Sequence, residues 1–375
     1  ITVDNLLYCL HNSEKTHSLC LSQKMSAKRI FSGIQPTGVP HLGNYLGAMR
    51  QWKQLQDEAS SSPGTKLFFS IVDLHAITMP QDAPVLRQRR REMMASLLAI
   101  GLNPAKSTIF YQSSVPAHSE LKWILDCTAS VGYLNRMTQW KSKLAEDNNS
   151  LRISDETIEN KLKMGLFGYP VLQAADILIH RATHVPVGDD QKQHLEFARQ
   201  CARSFNSTYP GGDMVSPETI TTRSPRVMSL TNPHKKMSKS SPNHSSRILI
   251  TALEDEIRKR IRSAVTDSLY AVTYDPQERP GVSNLLDLLS QCDPEAREPE
   301  EWARHFENAN LGDLKQATAD AVVRELAGVR ERYLDFLNHK GGRWLTEIEE
   351  EGAKVARESA DETMRMVRDV VGLSD

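Results

Sequence analysis

The chain has 375 residues, 39% of them hydrophobic and 25% charged, with a formal net charge of −1. That is ample for one large domain plus a smaller one, with the composition of a globular chain and not of a disordered one. Five cysteines without CxxC spacing argue against a disulfide framework or a cysteine zinc site, no apolar run nears the roughly 18 residues of a membrane span, and the balanced charge restricts any nucleic-acid partner to a local basic patch.

Residues 1–28 carry Ser, Lys and His with few acids (Asp4, Glu14). They read as an amino-terminal extension, either a targeting segment or a disordered tail. Residues 28–33 read as a strand entering a loop punctuated by Gly33, Pro36, Gly38 and Pro40. Residues 41–58 have helical spacing, with Leu42, Tyr45, Leu46, Met49, Trp52 and Leu55 on one face. Residues 66–73 (KLFFSIVD) and 108–112 (TIFYQ) are the near-continuous apolar runs of buried parallel strands. Helices are expected over 85–100 and 118–128, with Gly101 as a stop. The polar stretch 145–161 reads as an exposed insertion.

A helix is expected over 170–180, with Pro170 in its first turn. A short strand follows at 185–187 and a helix at 190–205, and residues 223–246, rich in Ser, Pro and Lys, read as a mobile loop. Beyond about residue 253 strand-like runs almost vanish and charged helical segments dominate. The alternation predicts an α/β domain with a parallel sheet over 29–250 and a helical domain over 251–375.

Two segments suit phosphate. Gly33 to Gly38, leading into His41, Leu42, Gly43 and Asn44, joins a strand to a helix. Helix amino termini present unpaired N–H groups and the positive end of a dipole, and glycine lets the backbone approach an anion. The second segment is Lys236, Met237, Ser238, Lys239 and Ser240. Its ammonium groups, hydroxyls and backbone N–H groups could cradle departing pyrophosphate. Each segment alone is equally readable as a tight turn or a solvated basic loop. A third feature is Asp176, a carboxylate on the apolar helical stretch VLQAADIL. A lone acid there is either a paired core charge or a functional group.

In this order the segments resemble a class I aminoacyl-tRNA synthetase, in particular the tryptophanyl branch of bacterial and mitochondrial type. FSGIQPTG, HLGN, VDLHAIT, YPVLQAADIL, VPVGDDQKQH, VMSL, KMSKS, SAVTDS and PGVSNLL carry the resemblance from about Arg29 onward. HLGN departs from the class signature His-Ile-Gly-His at its second and fourth positions, changes the tryptophan branch tolerates.

The resemblance implies a Rossmann-type catalytic domain followed by an α-helical anticodon-binding domain. It implies ATP as a substrate with Mg2+, no protein-bound metal, and L-tryptophan and tRNA(Trp) as partners, with a homodimer and no membrane. ATP would be contacted by Gln35, Pro36, Thr37, Gly43, Asn44, Gly188, Asp189, Asp190 and Val227, and by Lys236, Met237, Ser238, Lys239 and Ser240. His41, Asn44, Lys236 and Lys239 would be the catalytic set. Tryptophan would lie against Phe31, His75, Tyr169, Gln173, Asp176 and Gln191, with Asp176 accepting the indole N–H. Arg258, Lys259, Arg260 and Arg262 would lie on helices serving the tRNA anticodon region. The mitochondrial matrix is the implied compartment, with the cytoplasm as alternative. Three other readings share these features: the tyrosyl branch, a non-catalytic RNA-binding relative, and a small-molecule nucleotidyltransferase of the same superfamily.

Overall fold

The computed structural model describes residues 27–374 except 63, 138, 142–161, 189, 190, 222–225 and 240. Most of the amino-terminal extension and the insertion expected at 145–161 therefore lie outside the described residues. Five parallel strands form one sheet: β1 (Arg29–Ile34), β2 (Lys66–Ile71), β3 (Thr108–Tyr111), β4 (His184–Val187) and β5 (Glu218–Thr221). Their order is β3-β2-β1-β4-β5, so the winding direction reverses at β1.

The strands alternate between two buried faces. Ile30, Leu67, Phe69, Ile71, Ile109 and Tyr111 enter one apolar cluster, whereas Phe31, Phe68 and Phe110 enter another. Parallel sheets are covered on both faces because their crossovers place helices there. The first face is covered by α1 (Leu42–Asn44), α2 (Arg50–Ser60) and, past the short α3 (Asp73–Ala76), by α4 (Ala83–Ala99). A π-helical turn, Tyr45–Met49, joins α1 to α2. The second face is covered by α5 (Ala117–Asp126), α6 (Val131–Arg136), α7 (Met164–Ile179) and α8 (Lys192–Thr208).

The structure corrects one expectation about α7. Pro170 is not in the first turn but inside the helix, which begins at Met164. Gly165 and Gly168, poor helix formers, mask the early turns in the sequence. Three elements were not expected: α3, α6 and β5. Each is short, and β5 is a half-exposed edge strand without an apolar run.

Between β5 and α9 (Glu254–Arg262) the described residues form one short 3-10 turn, His244–Ser246, and are otherwise irregular. That stretch is tied to the core all the same. Val227, Leu230 and Met237 are buried, Met237 N–H donates to Val227 O (3.0 Å), and Ser229 N–H donates to Lys235 O (2.8 Å). Then come α10 (Pro280–Gln291), α11 (Pro299–His305), α12 (Leu311–Glu325), α13 (Val329–Asn338) and α14 (Arg343–Val371). Residues from α9 to α13 share the first apolar cluster with the sheet. On α9, Arg258 pairs with Glu254 and Asp320, and Arg260 with Glu256, leaving Lys259 and Arg262 as its exposed cations.

The last helix spans both faces. Leu345 and Ile348 pack into the first cluster, and Ala356, Ala360, Met364 and Val367 into the second. Between them α14 crosses edge strand β3 at Gly352, where an added Cβ would stand 1.9 Å from the Ile109 carbonyl oxygen. A helix laid over an edge strand also shields its unpaired backbone groups. Replacing Gly352 with Val should therefore lift α14 from β3 and cost about 1–3 kcal/mol. A urea unfolding midpoint equal to that of the wild type would contradict this seating.

Candidate active site

Where strand order reverses, a crevice opens at the carboxyl ends of the strands. A cavity of about 450 Å³ lies there, between β1 (Phe31, Ser32, Gly33) and β4 (Val185, Pro186, Val187). All six side chains expected around the amino acid line it: Phe31, His75, Tyr169, Gln173, Asp176 and Gln191. Tyr169, Gln173 and Asp176 stand at i, i+4 and i+7 on α7, which places them on one helix face. Phe31, Ile177, Val185 and Val187 give the cavity apolar wall.

The floor of the cavity is Asp176, which is 1% exposed. An unpaired buried carboxylate would cost several kcal/mol, so its partners decide whether it ionises. His75 Nε2 lies 2.8 Å from Oδ2, and His118 Nδ1 lies 2.7 Å from Oδ1. Gln112 Nε2 donates to Oδ1 at 2.7 Å. Burial pushes the Asp176 carboxyl up, but hydrogen bonds from His118 and His75 and their charge outweigh it and hold the group down to about 2. Asp176 is thus an ionised acceptor.

A carboxylate has about four acceptor positions. Three are taken, two on Oδ1 and one on Oδ2. The remaining one is on Oδ2, the oxygen shared with His75, and His75 lines the cavity while Gln112 and His118 do not. The site therefore offers one anionic acceptor to one ligand donor within an apolar box.

The partners are themselves fixed. Gln112 Oε1 accepts from Leu74 N–H (3.1 Å), so a single amide ties the backbone beside His75 to Asp176. Asp73 accepts from Ser113 N–H (2.9 Å) and Ser113 Oγ (2.6 Å) and pairs with Arg90 (3.0 Å). These contacts bend the chain out of β2 into α3 and so present His75. Behind His118 lies His180, whose burial pushes it well below the usual imidazole range, with His118 adding to the effect. His180 stacks on Phe68 at 4.6 Å, and its Nδ1 lies 3.2 Å from Ser359 Oγ on α14.

At the mouth of the cavity, the Tyr169 hydroxyl donates to Gln139 Oε1 (3.3 Å) and lies 2.9 Å from His194 Nε2. Gln173 Nε2 donates to Gln191 Oε1 (3.2 Å).

Gln35, the first residue after β1, lines the same cavity and joins it to the phosphate segments. His41 caps α1: its Nδ1 accepts from Asn44 N–H (3.2 Å), and Asn44 Oδ1 accepts from His41 N–H (3.2 Å). Burial, with Lys239, Arg247 and Lys236 nearby, pushes His41 down to about 3. The ring is therefore neutral, and because Nδ1 accepts, Nε2 carries the proton. Gly43 leaves no room for a larger residue, since its added Cβ would meet the His41 ring at 3.1 Å and Val227 at 3.4 Å.

Lys239 reaches across to this loop. Its Nζ donates to Gly38 O (2.7 Å), Thr37 Oγ1 (3.1 Å) and Thr37 O (3.3 Å). Burial pushes its ammonium down to about 7; Glu92 pulls it up, while Arg89 and Arg247 push it further down. Pro36 is buried in the loop, Met237 anchors the second segment in the core, and Lys236 is exposed. Gly188 follows β4, and its carbonyl accepts from Gln191 N–H (3.0 Å). Asp189, Asp190 and Ser240 lie outside the described residues.

Gln112 and His118 were not legible as partners of Asp176. Gln112 ends an apolar strand at the sheet's carboxyl edge, which was the one available signal for it. His118 sits on an ordinary amphipathic helix.

The family profile described as tRNA synthetases class I (W and Y) matches residues 23–327, so the chain belongs to that family. Among its relatives are tryptophan ligases. The mitochondrial tryptophan–tRNA ligase of Schizosaccharomyces pombe is 44% identical, over 92% of this chain and 96% of that protein. The mitochondrial tryptophan–tRNA ligase of Saccharomyces cerevisiae is 43% identical, over 96% and 93%. The crystal structure of the tryptophanyl-tRNA synthetase of Mycoplasma pneumoniae superposes with a TM-score of 0.78 at 32% identity, over 93% of this chain and 98% of that one. That of Campylobacter jejuni, complexed with ADP and tryptophan, gives 0.73 at 32% identity, over 92% and 100%.

Removing the His118 donor tests the floor of the cavity. His118→Leu should cost about 2 kcal/mol in urea unfolding at neutral pH, because Asp176 keeps its burial and loses a charge-assisted hydrogen bond. An unchanged midpoint would show that the bond does not hold the carboxylate.

Proposed function

We infer that the chain activates L-tryptophan with ATP and transfers it to tRNA(Trp). It is a tryptophan–tRNA ligase of the mitochondrial matrix, and the names of its fungal relatives support that place of work. The observation that carries the substrate is Asp176: one open anionic acceptor inside an apolar cavity suits the indole N–H. Phe31, Val185 and Val187 would take the ring. Tyr169, Gln173 and Gln191, which also line the cavity, would take the ammonium and carboxylate.

ATP would lie along the two phosphate segments. Gln35, Pro36, Thr37, Gly43 and Val227 would border it on one side, and Gly188, Asp189 and Asp190 on the ribose side. Lys236, Met237, Ser238, Lys239 and Ser240 would close over the phosphates. Mg2+ arrives as part of the ATP substrate. The tryptophan carboxylate attacks the α-phosphorus in line, and pyrophosphate leaves. The terminal ribose hydroxyl of the tRNA then attacks the carbonyl of the adenylate, the ester forms, and AMP leaves.

Neither step needs a protein nucleophile; positioning and charge stabilisation suffice. His41 is neutral with its proton on Nε2, so it donates to a phosphate oxygen without a charge to neutralise. Asn44 uses its Oδ1 in the cap, and its amide N–H groups would be the ones to donate to a phosphate oxygen. Lys236 and Lys239 take the charge that develops on the leaving pyrophosphate. Residues 251–375 would serve the anticodon, with Lys259 and Arg262 as exposed cations. A homodimer would cover Trp123, Val131 and Met164, which are large, apolar and exposed.

The test is ATP–pyrophosphate exchange. The wild type should exchange with tryptophan and not with tyrosine. Asp176→Asn should lower kcat/KM for tryptophan about 100-fold with little change in KM for ATP, whereas Lys239→Ala should lower kcat with little change in tryptophan affinity. Exchange driven by tyrosine alone, or equal losses of both kinds in both variants, would refute the assignment.

A further inference from the structure

Arg247 has no place in the scheme above, yet it stands at the junction of the two phosphate segments. It is a cation only 9% exposed. Its Nη1 donates to Ser241 O (2.9 Å), directly after the second segment, and its Nη2 lies 2.9 Å from His244 Nδ1. Its own carbonyl accepts from Arg260. The residues that follow pair with the first segment: Leu42 N–H donates to Ile248 O (2.7 Å), Ile250 N–H donates to Pro40 O (3.0 Å), and His41 bridges Leu249. One residue thus joins the exit of the second segment to the backbone that frames the first.

Its charge is unbalanced. Guanidinium groups this deeply placed are ordinarily matched by a carboxylate. The side-chain partners of Arg247 are a backbone carbonyl and an imidazole nitrogen, and no acid pairs with it among the described residues. Two of its five N–H donors are used, and its field reaches both His41 and Lys239. A buried cation left without an anion, beside two groups assigned to phosphate, marks a place where the ligand supplies the anion.

We propose that Arg247 is a positioning residue for activation: it pins the exit of the second phosphate segment to the strand-like stretch paired with His41, and it holds a fixed positive charge that the ATP phosphates neutralise. The proposal rests on the reading of this site as an ATP site. Arg247 acts through its neighbours as well as through its charge. The groups facing Lys239 are Arg247 and, from α4, Glu92 and Arg89. Those facing His41 are Lys239, Arg247 and Lys236. Removing the Arg247 charge lets Lys239 keep its proton to higher pH.

Two full-length variants, Arg247→Met and Arg247→Lys, test this by ATP–pyrophosphate exchange across pH. Arg247→Met should lower kcat/KM for ATP about 100-fold while KM for tryptophan stays within about twofold. Its alkaline limb in kcat/KM for ATP, a property of the free enzyme, should move to higher pH. Arg247→Lys keeps the charge and loses the two-point bridge. Its limb should stay in place, and its kcat should fall about tenfold. Wild-type ATP kinetics in Arg247→Met, an unmoved limb, or equal losses for ATP and tryptophan would overturn the proposal. Wild-type exchange with tryptophan is the control. Its absence would sink the ligase reading, whereas its presence beside an unaffected Arg247→Met sinks this inference alone.

Discussion

Everything in the amino-acid cavity depends on keeping one carboxylate ionised at a position only 1% exposed. Asp176 sits among apolar residues on α7, and its burial pushes the carboxyl up. His75, Gln112 and His118 hold it down instead, and they come from α3, from the turn after β3 and from α5. The acceptor therefore exists only when the sheet and its covering helices are assembled. The same donors leave a single acceptor position open, on the Oδ2 side. Selectivity follows from that count: a ligand without a donor strands the carboxylate's last position, which costs more than a missing contact.

The phosphate half works on the opposite principle. There the protein gathers cations and keeps the His41 ring neutral. His41 is disfavoured as imidazolium by burial and by three neighbouring positive groups. Lys239 is held against the Thr37 and Gly38 carbonyls, with its proton affinity lowered by burial. An incoming triphosphate would relieve both strains at once. The two halves meet at β1: Phe31 and Gly33 line the cavity, and Gln35 starts the phosphate loop. Gly33 faces the cavity from that strand, and an added Cβ would stand 2.9 Å from Val72.

The parallel sheet and the main helices were legible because each has a local signature: apolar runs, helical spacing, glycine punctuation. Asp176 was legible because an acid in an apolar helix is an exception. Its partners were not, since a terminal Gln on a strand and a His on an amphipathic helix look ordinary until the chain is folded. The same holds for Arg247, one basic residue in a stretch full of Ser, Pro and Lys. Pro170 misled because proline inside a helix is rare and proline in a first turn is common. The path of α14 across β3 was invisible for a related reason. Gly352, which allows the crossing, reads in sequence as a mere weakness in a long helix.

The most direct test of the central claim replaces the ligand's donor and leaves the protein intact. A tryptophan analogue with sulfur in place of the indole N–H keeps nearly the same shape and removes the only donor that Asp176 could meet. In ATP–pyrophosphate exchange, kcat/KM for the analogue should fall below that for tryptophan by about 100-fold or more. Exchange at the tryptophan rate would mean that Asp176 accepts nothing from the ring, and the account of the cavity would be wrong.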